Sequence, residues 1–199
     1  MIPRHLWIGV AVMLLAVITM LVYLRRMKTQ VSKFEPATSD LRPVAPPASG
    51  PTEHATLYVA FDDPGTIRAT DAQIPLPSDR QQRAEELLRA LMNIYLDRTS
   101  AHAMPSGAEI RSVFLIDPGT AVIDANAAFA DGHRSGVLVE ELTVASMIQT
   151  LSANIPGILR VRILIDGKQR ETLAGHADLS NFYQTSAVAQ LVQELQAAP

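Results

Sequence analysis

The side chains best suited to metal chemistry in this 199-residue chain are two histidines and three aspartates of its second half. Imidazole and carboxylate groups are ligands that zinc and manganese accept, and the candidate set is Asp124, His133, Asp166, His176 and Asp178. His176 and Asp178 are two residues apart in a predicted loop, and no helical His-x-x-x-His pair supports them as ligands. We therefore predict no metal site and keep a membrane-tethered, metal-dependent hydrolase using the His176/Asp178 region as an alternative.

Two further groups of residues could support catalysis. Glu140 and Glu141 could act as general acid and base, but adjacent helical residues point about 100° apart and cannot readily flank one substrate bond. An acidic residue in a first helical turn instead complements the helix dipole. Ser135, Ser146 and Ser180 lack the Gly-x-Ser-x-Gly context of a nucleophile elbow. We predict no catalytic residue, no cofactor and no small-molecule substrate, so the chain is expected not to be an enzyme.

Two arginines are candidates for contacts with another protein. Arg160 and Arg162 alternate with the apolar residues of a predicted strand over 160–165, so both guanidinium groups share the face opposite the core. A solvated outer face accounts for this placement. The alternative is a subunit contact, because arginine is favoured in interfaces.

Alternating apolar residues predict the strands that position these side chains. Leu57, Val59 and Phe61 share one face of the first strand. The other predicted strands are residues 66–69 and 73–76, a hairpin over 110–116 and 121–124, and 160–165. The Asp166-Gly167 pair is a strong hairpin signal, so residues 168–173 are expected to pair back onto the preceding strand.

Three amphipathic stretches predict helices. Ser78 and Gln81 have the spacing of a capping box before a leucine-rich helix, a second helix is predicted from about Gly136 to Asn154, and a short third one over 186–196. The sequence therefore predicts an α/β (α+β) two-layer sandwich, with a mixed or antiparallel sheet and two helices on one face.

The first 53 residues differ from the rest in composition. His5–Leu24 contains no charged Asp, Glu, Lys or Arg residue, and twenty residues at about 1.5 Å each span about 30 Å, the thickness of a bilayer core. A proline-rich stretch follows, which favours extended geometry. We predict four segments: a transmembrane anchor (1–28), a linker (29–53), a folded domain (54–184) and a C-terminal short helix or tail (185–199).

The distribution of charged residues along the chain indicates which classes of partner the protein is suited to bind. Residues 54–199 carry eleven Lys/Arg against seventeen Asp/Glu, and an acidic domain is not suited to binding the phosphates of nucleic acid. Arg25, Arg26, Lys28 and Lys33 follow the apolar segment, and by the positive-inside rule they favour a cytoplasmic domain. The chain contains no cysteine, which excludes disulfides, thiolate metal sites and cysteine nucleophiles.

The folded region resembles the sporulation and spore-germination domain known as GerMN. The matching features are Thr56–Val59, the Ile-Pro-Leu-Pro run at 74–77, Met104–Ile110, and the closing segment from Gln149 through Ile155–Ile158 to Gly167 and Glu171–Ser180. Their order and spacing, rather than any single motif, carry the resemblance. It also implies that Gly175-His176 and Asp178 form a structural turn in which Asp178 accepts backbone N–H groups. Family members are often lipoproteins or carry two copies of the domain, whereas this chain has a predicted transmembrane anchor and one copy.

The resemblance implies a non-catalytic, extracytoplasmic module similar to the ring-building motifs of secretion and sporulation channels. We therefore expect a single-pass protein of the inner (cytoplasmic) membrane whose domain lies in the periplasm or its equivalent and contacts envelope proteins or further copies of itself. A second alternative is a module that binds peptidoglycan or another envelope polymer, which would need a groove with exposed aromatic side chains.

Overall fold

Residues 51–77 and 79–197 are described by a computed structural model, and their strands form two separate sheets. The first sheet is a long antiparallel pair, β1 (Thr52–Phe61) and β2 (Thr66–Pro75). The second sheet contains four strands in chain order, which are β3 (Ile110–Ile116), β4 (Thr120–Ala125), β5 (Arg160–Ile165) and β6 (Tyr183–Gln184). It is mixed, because β4 and β5 are parallel while the other neighbours are antiparallel.

Four helices complete the described part: α1 (Arg80–Leu96), α2 (Ala127–Asp131), α3 (Val137–Asn154) and α4 (Thr185–Ala197). The helix predicted over 136–154 is confirmed, and the predicted C-terminal helix lies within α4. The capping residue of α1 is Asp79, whose carboxylate accepts the Gln82 N–H at 2.8 Å, whereas the predicted cap Ser78 lies outside the described residues. The five-residue α2 was not predicted, because it is too short to show helical periodicity.

The core lies where α1 packs on β3, α3 packs on β1, and the two helices contact each other. Its largest fully buried side chains come from both sheets and from α1, α2 and α3, and include Leu57, Ile123, Tyr95, Phe129 and Met147. α4 packs against α3 and β2 and buries Val188 and Val192. The predicted α+β class is therefore confirmed.

The prediction of one sheet with two helices on one face is wrong, since β1 pairs only with β2. Three backbone N–H groups of β1 bond to helix side chains instead: Thr56 to Asn154 at 3.2 Å, Tyr58 to Thr150 at 2.9 Å and Ala60 to Tyr95 at 3.0 Å. Because a strand edge must satisfy its backbone groups, these side chains close the edge to a further strand.

The predicted return strand over 168–173 is also wrong. Asp166 and Gly167 do make the turn, with φ of 50° and 70°, but only one bridge forms, between Ile165 and Lys168. Residues 171–179 instead form a loop whose two ends are joined, since Leu179 donates its N–H to the Glu171 carbonyl at 2.9 Å. In contrast, the two extended stretches predicted within 66–76 are one continuous strand, β2.

The predicted anchor (1–28) and most of the predicted linker (29–53) lie outside the described residues. Within 51–77 and 79–197, no helix has both the length and the apolar character needed to cross a bilayer.

Asn154→Ala is expected to lower the free energy of unfolding by about 1–3 kcal/mol. The Asn154 amide accepts the Thr56 N–H and donates to the Thr56 carbonyl at 2.7 Å, so alanine leaves both backbone groups without these bonds. Urea denaturation measures the loss. Ser152→Ala is the matched control, because its hydroxyl bonds only to the Gln149 carbonyl of the same helix, and an equal loss in the two variants would contradict the prediction.

Candidate functional site

The five residues considered as metal ligands fall into three groups: Asp124 with Asp166, His133 by itself, and His176 with Asp178. Asp124 on β4 accepts the Gly167 N–H at 2.7 Å, and Arg111 lies 3.1 Å from Asp166 Oδ1 and 3.9 Å from Asp124 Oδ2. Burial raises the pKa of Asp124, and the Gly167 hydrogen bond and Arg111 oppose that rise. These two carboxylates therefore hold the 166–167 turn.

Asp178 forms a local turn of its own. Its carboxylate accepts the Ser180 N–H at 2.7 Å and the Asn181 side-chain amide at 2.9 Å, and hydrogen bonds from Ser180 and Asn181 lower its pKa. This is the turn that the family resemblance implies. Among residues 51–77 and 79–197, no group of three or more histidine, aspartate or glutamate side chains is arranged to hold a metal ion.

Glu140 is the centre of the most heavily bonded cluster in the described part. Its side chain has no exposed surface. One carboxylate oxygen, Oε2, accepts the backbone N–H groups of Ala174, His176 and Ala177, each at 2.9 Å. The other, Oε1, accepts from Gly136 at 3.2 Å and lies 2.9 Å from His176 Nδ1. Gly175, with φ of 120°, allows the loop to turn these donors onto one carboxylate. We call this arrangement the Glu140 clamp.

The Glu140 clamp keeps its carboxylate ionised. Burial raises the pKa of Glu140, but the hydrogen bonds from the His176 side chain and from the three loop N–H groups outweigh burial and lower the pKa to about 2. A carboxylate that accepts several hydrogen bonds favours its charged form in this way. The clamp thus fixes the loop over 174–177 against the first turn of α3.

We expect acid to remove this stabilisation within a defined pH range. Because the folded pKa of Glu140 is lower than its unfolded value of about 4.5, the folded protein binds fewer protons, and the contribution of about 3 kcal/mol is complete above pH 4.5 and lost toward pH 2. The measurement is the difference in unfolding free energy between the unmodified chain and Glu140→Gln at pH 7, 4.5 and 3. A difference that does not shrink below pH 4.5 would contradict this assignment.

The Glu140 clamp also brings a serine next to a histidine and an acid. Ser135 Oγ lies 3.4 Å from His176 Nδ1, and Glu140 contacts the same nitrogen. A catalytic triad requires the acid and the hydroxyl on opposite ring nitrogens, so that the imidazole can accept a proton from one side. The arrangement therefore lacks the geometry of a serine nucleophile. Glu141 lies on another side of α3 and lines a cavity, so the two glutamates do not form an acid–base pair.

A second buried cluster contains the elements of a triad in the correct order. His102 Nδ1 lies 2.6 Å from Asp62 Oδ1, and His102 Nε2 lies 2.8 Å from Thr143 Oγ1. The Thr143 hydroxyl also contacts His133 Nε2 at 2.8 Å, and His133 Nδ1 lies 2.7 Å from the Arg134 carbonyl. We call this series of contacts the histidine chain.

The histidine chain cannot carry nucleophilic catalysis. Thr143 has no exposed surface, and its hydroxyl donates to the Val139 carbonyl at 3.0 Å while both imidazoles contact it. A nucleophile must reach a substrate atom at about 3 Å, and the described cavity next to α3 is not lined by Thr143. The cluster therefore connects the β1–β2 turn, the loop after α1 and the loop before α3.

The histidine chain has more close contacts than protons to form hydrogen bonds in them. All four ring nitrogens lie 2.6–2.8 Å from an oxygen, but each neutral imidazole has one N–H, and one hydroxyl adds a single further donor. With both rings neutral, at most three of the four contacts are hydrogen bonds, and at most two are when the hydroxyl proton is donated to the Val139 carbonyl. Burial lowers the pKa of His102, although the hydrogen bond to Asp62 acts to raise it. Burial also lowers the pKa of His133, although the hydrogen bond to the Arg134 carbonyl acts to raise it.

Both clusters belong to one buried polar stripe on α3. Its residues follow helical spacing, and each bonds to another element or loop. Glu140 bonds to the 174–177 loop, Thr143 contacts both histidines, and Ser146 bonds to the Tyr95 hydroxyl. Thr150 and Asn154 bond to β1. Sequence analysis missed His102, Asp62 and Thr143. The repeated polar residues at 140, 143, 146, 150 and 154 of an otherwise apolar helix were the available sign.

An open cavity of about 310 Å³ lies between α3, α4 and the loop before β6. Apolar side chains form most of its wall, and two carboxylates and one imidazole lie among them; the lining includes Val137, Glu141, Val144, His176, Asp178 and Tyr183. Tyr183 is the one aromatic residue of this lining, which does not favour stacking of sugar rings. The cavity is therefore suited to an apolar group that carries positive charge.

The outer face of the four-stranded sheet bears the two predicted arginines. Arg160 is exposed and Arg162 is half-buried, and both guanidinium groups lie over the Phe182 ring, at 4.7 and 4.1 Å from its centroid. Their predicted placement opposite Val161 and Ile163, which are buried, is confirmed.

Comparison with known proteins supports the fold and the family. Residues 56–171 match the family model Germane, described as sporulation and spore germination. The structure is similar to the tandem GerMN domains of GerM from Bacillus subtilis, with a TM-score of 0.52 and 19% identity over 69% of this chain and 48% of that chain. This chain thus spans about half the length of the tandem structure. No curated protein matches this chain.

Two further solved structures are similar at lower TM-score. The first GerMN domain of the same Bacillus subtilis protein has a TM-score of 0.45 and 18% identity, over 64% of this chain and 93% of that one. A candidate lipoprotein from Clostridium perfringens has a TM-score of 0.46 and 19% identity, over 74% of this chain and 96% of that one. Because the family model covers more than half of the sequence, the chain belongs to the Germane family, whose domain is associated with sporulation and spore germination.

Proposed function

We propose that this protein is a membrane-anchored, non-catalytic module of the cell envelope that acts by contacting other proteins. One observation carries the proposal. The two described clusters that most resemble catalytic sites are centred on four residues, Glu140, His102, Thr143 and His133, which are buried and bonded to one another, to other side chains or to the backbone. The described surface exposes large apolar side chains such as Val137 and Leu159, and groups of this kind are typical of a protein interface.

The membrane part of the proposal rests on the sequence. The apolar segment His5–Leu24 is long enough for a bilayer, and the proline-rich linker after it could hold a domain up to about 75 Å from the lipid surface. An extracytoplasmic domain follows the expectation from the family, whereas the four cations after the apolar segment favour the opposite side.

Labelling of single cysteines tests the placement, because the unmodified chain contains none. Ser186→Cys puts a thiol on an exposed position of α4, and Ile2→Cys puts one before the apolar segment. In intact spheroplasts, we expect a membrane-impermeant maleimide to label Ser186→Cys and to label Ile2→Cys only after lysis. The reverse pattern would overturn the extracytoplasmic placement.

The two alternatives lack a supporting site in the described part. A hydrolase at His176 and Asp178 would need free ligand or base atoms in the cavity that both residues line. His176 Nδ1 is instead bonded to Glu140, and the Asp178 carboxylate is bonded to Ser180 and Asn181 of its own turn. A polymer-binding module would need a groove with several free aromatic faces, but two arginines stack on Phe182 and the exposed Phe114 does not line the cavity.

A further inference from the structure

One surface of the four-stranded sheet combines positive charge with exposed apolar side chains. We define the basic face as Leu159, Arg160, Arg162 and Phe182. Leu159 is 63% exposed and Phe182 is 37% exposed. Arg160 bonds to the Thr120 hydroxyl and Arg162 to the Ser180 carbonyl. Among the residues that the structure describes, neither arginine forms an ion pair with a carboxylate, so two positive charges are uncompensated.

The cavity between α3 and α4 has the opposite character. We define the acidic cavity by Val137, Glu141, Asp178 and Tyr183, which line it. Val137 is 65% exposed, and no lysine or arginine belongs to the lining. Burial, together with the carboxylates of Asp178, Glu141 and Glu140, raises the pKa of Tyr183 to about 12. Because the lining contains two carboxylates and neither lysine nor arginine, the cavity has no basic side chain to balance their negative charge.

The two surfaces cannot meet within one molecule. Tyr183, the first residue of β6, pairs with the buried Val161 of β5, so their side chains share one face of the sheet. Arg160 and Arg162 alternate with Val161 along β5 and therefore face the other side. Tyr183 lines the acidic cavity, whereas Phe182 lies under the arginines of the basic face. A basic apolar surface thus lies on the opposite side of the sheet from an acidic apolar cavity.

We infer that the basic face of one copy docks against the acidic cavity of a second copy of this chain. Leu159 and Phe182 supply apolar groups for the cavity wall, and the guanidinium groups of Arg160 and Arg162 approach Glu141 and Asp178. Complementary charges fix the register of such a contact. Because different patches meet, the contact is heterologous and leaves one patch free on each end, so assembly continues beyond a dimer. This inference rests on the proposed function and names the partner.

Disulfide trapping in native membranes tests the contact on the full, cysteine-free chain. Leu159→Cys marks the basic face and Val137→Cys marks the acidic cavity, and both positions are exposed. Under mild oxidation, we expect neither single variant alone to crosslink. Co-expression of the two is expected to give a dimer, and a chain carrying both substitutions is expected to give a ladder of trimers and larger species.

Charge reversal in the doubly substituted chain tests whether the charges direct the contact. Glu141→Lys or Arg162→Glu replaces an attractive pair by a repulsive one, and each is expected to lower the crosslinked fraction about tenfold. The two reversals together should restore it. Arg98→Glu, an exposed charge change outside both surfaces, is the matched control and should leave the ladder unchanged.

Three outcomes would overturn the inference. A chain that stays monomeric has no such contact, and a dimer formed by Leu159→Cys alone shows a symmetric contact instead. An adduct of Val137→Cys with a different protein assigns the acidic cavity to that protein. The last outcome leaves the proposed function intact, and failure of the proposed function is detected separately by the maleimide labelling of Ser186→Cys.

Discussion

Glu140→Gln is expected to lower the free energy of unfolding by about 3–5 kcal/mol at pH 7. The substitution removes the charge that accepts three backbone N–H groups and contacts His176, and the new amide points N–H donors at other donors. Hydrogen bonds to a charged group contribute about twice as much as neutral ones. Since a domain of this size is stable by about 5–15 kcal/mol, the loss is a large part of the total.

Urea denaturation measures this loss, and amide hydrogen exchange locates it. Exchange at Ala174, His176 and Ala177 should accelerate before that of the core strands, because the loop loses its only described carboxylate partner. Glu141→Gln is the matched control, since the neighbouring carboxylate lines the open cavity and is expected to change stability by less than about 0.5 kcal/mol. Equal stability of the two variants would refute the role of the Glu140 clamp.

Thr143→Val is expected to cost about 2–4 kcal/mol, although valine has nearly the same shape as threonine. The hydroxyl lies between His102 Nε2 and His133 Nε2 at 2.8 Å from each. Its removal leaves two buried imidazole nitrogens without a partner. The penalty comes from these orphaned polar atoms rather than from lost packing, because valine fills the same space.

Thr143→Ser separates the hydroxyl from the methyl group. Serine keeps the hydrogen-bonding group and loses one buried methyl, so the expected cost is about 1 kcal/mol. Urea denaturation compares the two variants, and the chemical shifts of the His102 and His133 ring nitrogens report the contact directly. A valine variant that is as stable as the serine variant, with unchanged ring shifts, would show that the histidine chain contributes nothing.

The local elements could be predicted because each depends on periodicity within a short window. The alternation at Leu57, Val59 and Phe61 corresponds to β1, and the apolar spacing between 136 and 154 corresponds to α3. The return strand at 168–173 was wrong because a hairpin signal fixes a turn and not the path beyond it. After Gly167, the Glu140 clamp and the bonds within 171–179 decide where the chain goes.

The candidate site could be predicted only in part. Asp178 was expected to form a turn and does so, and Arg160 and Arg162 lie on the predicted face. His102 and Thr143 gave no sign of their contact, because 41 residues separate them. Glu140 was expected to complement the dipole of its own helix, but its main partners lie 34 to 37 residues later in the chain.

The sequence by itself determined β1 to β5, the long helices, the α+β class and the family, because these follow from residue order and from periods of two or about 3.6 residues. Only the tertiary structure decided the split into two sheets and the partners of the polar stripe on α3. A polar stripe has the same spacing whether it faces water or the interior. Its environment is set by the packing of distant elements, which closes the edge of β1 with Thr150 and Asn154 and surrounds Thr143 with two imidazoles.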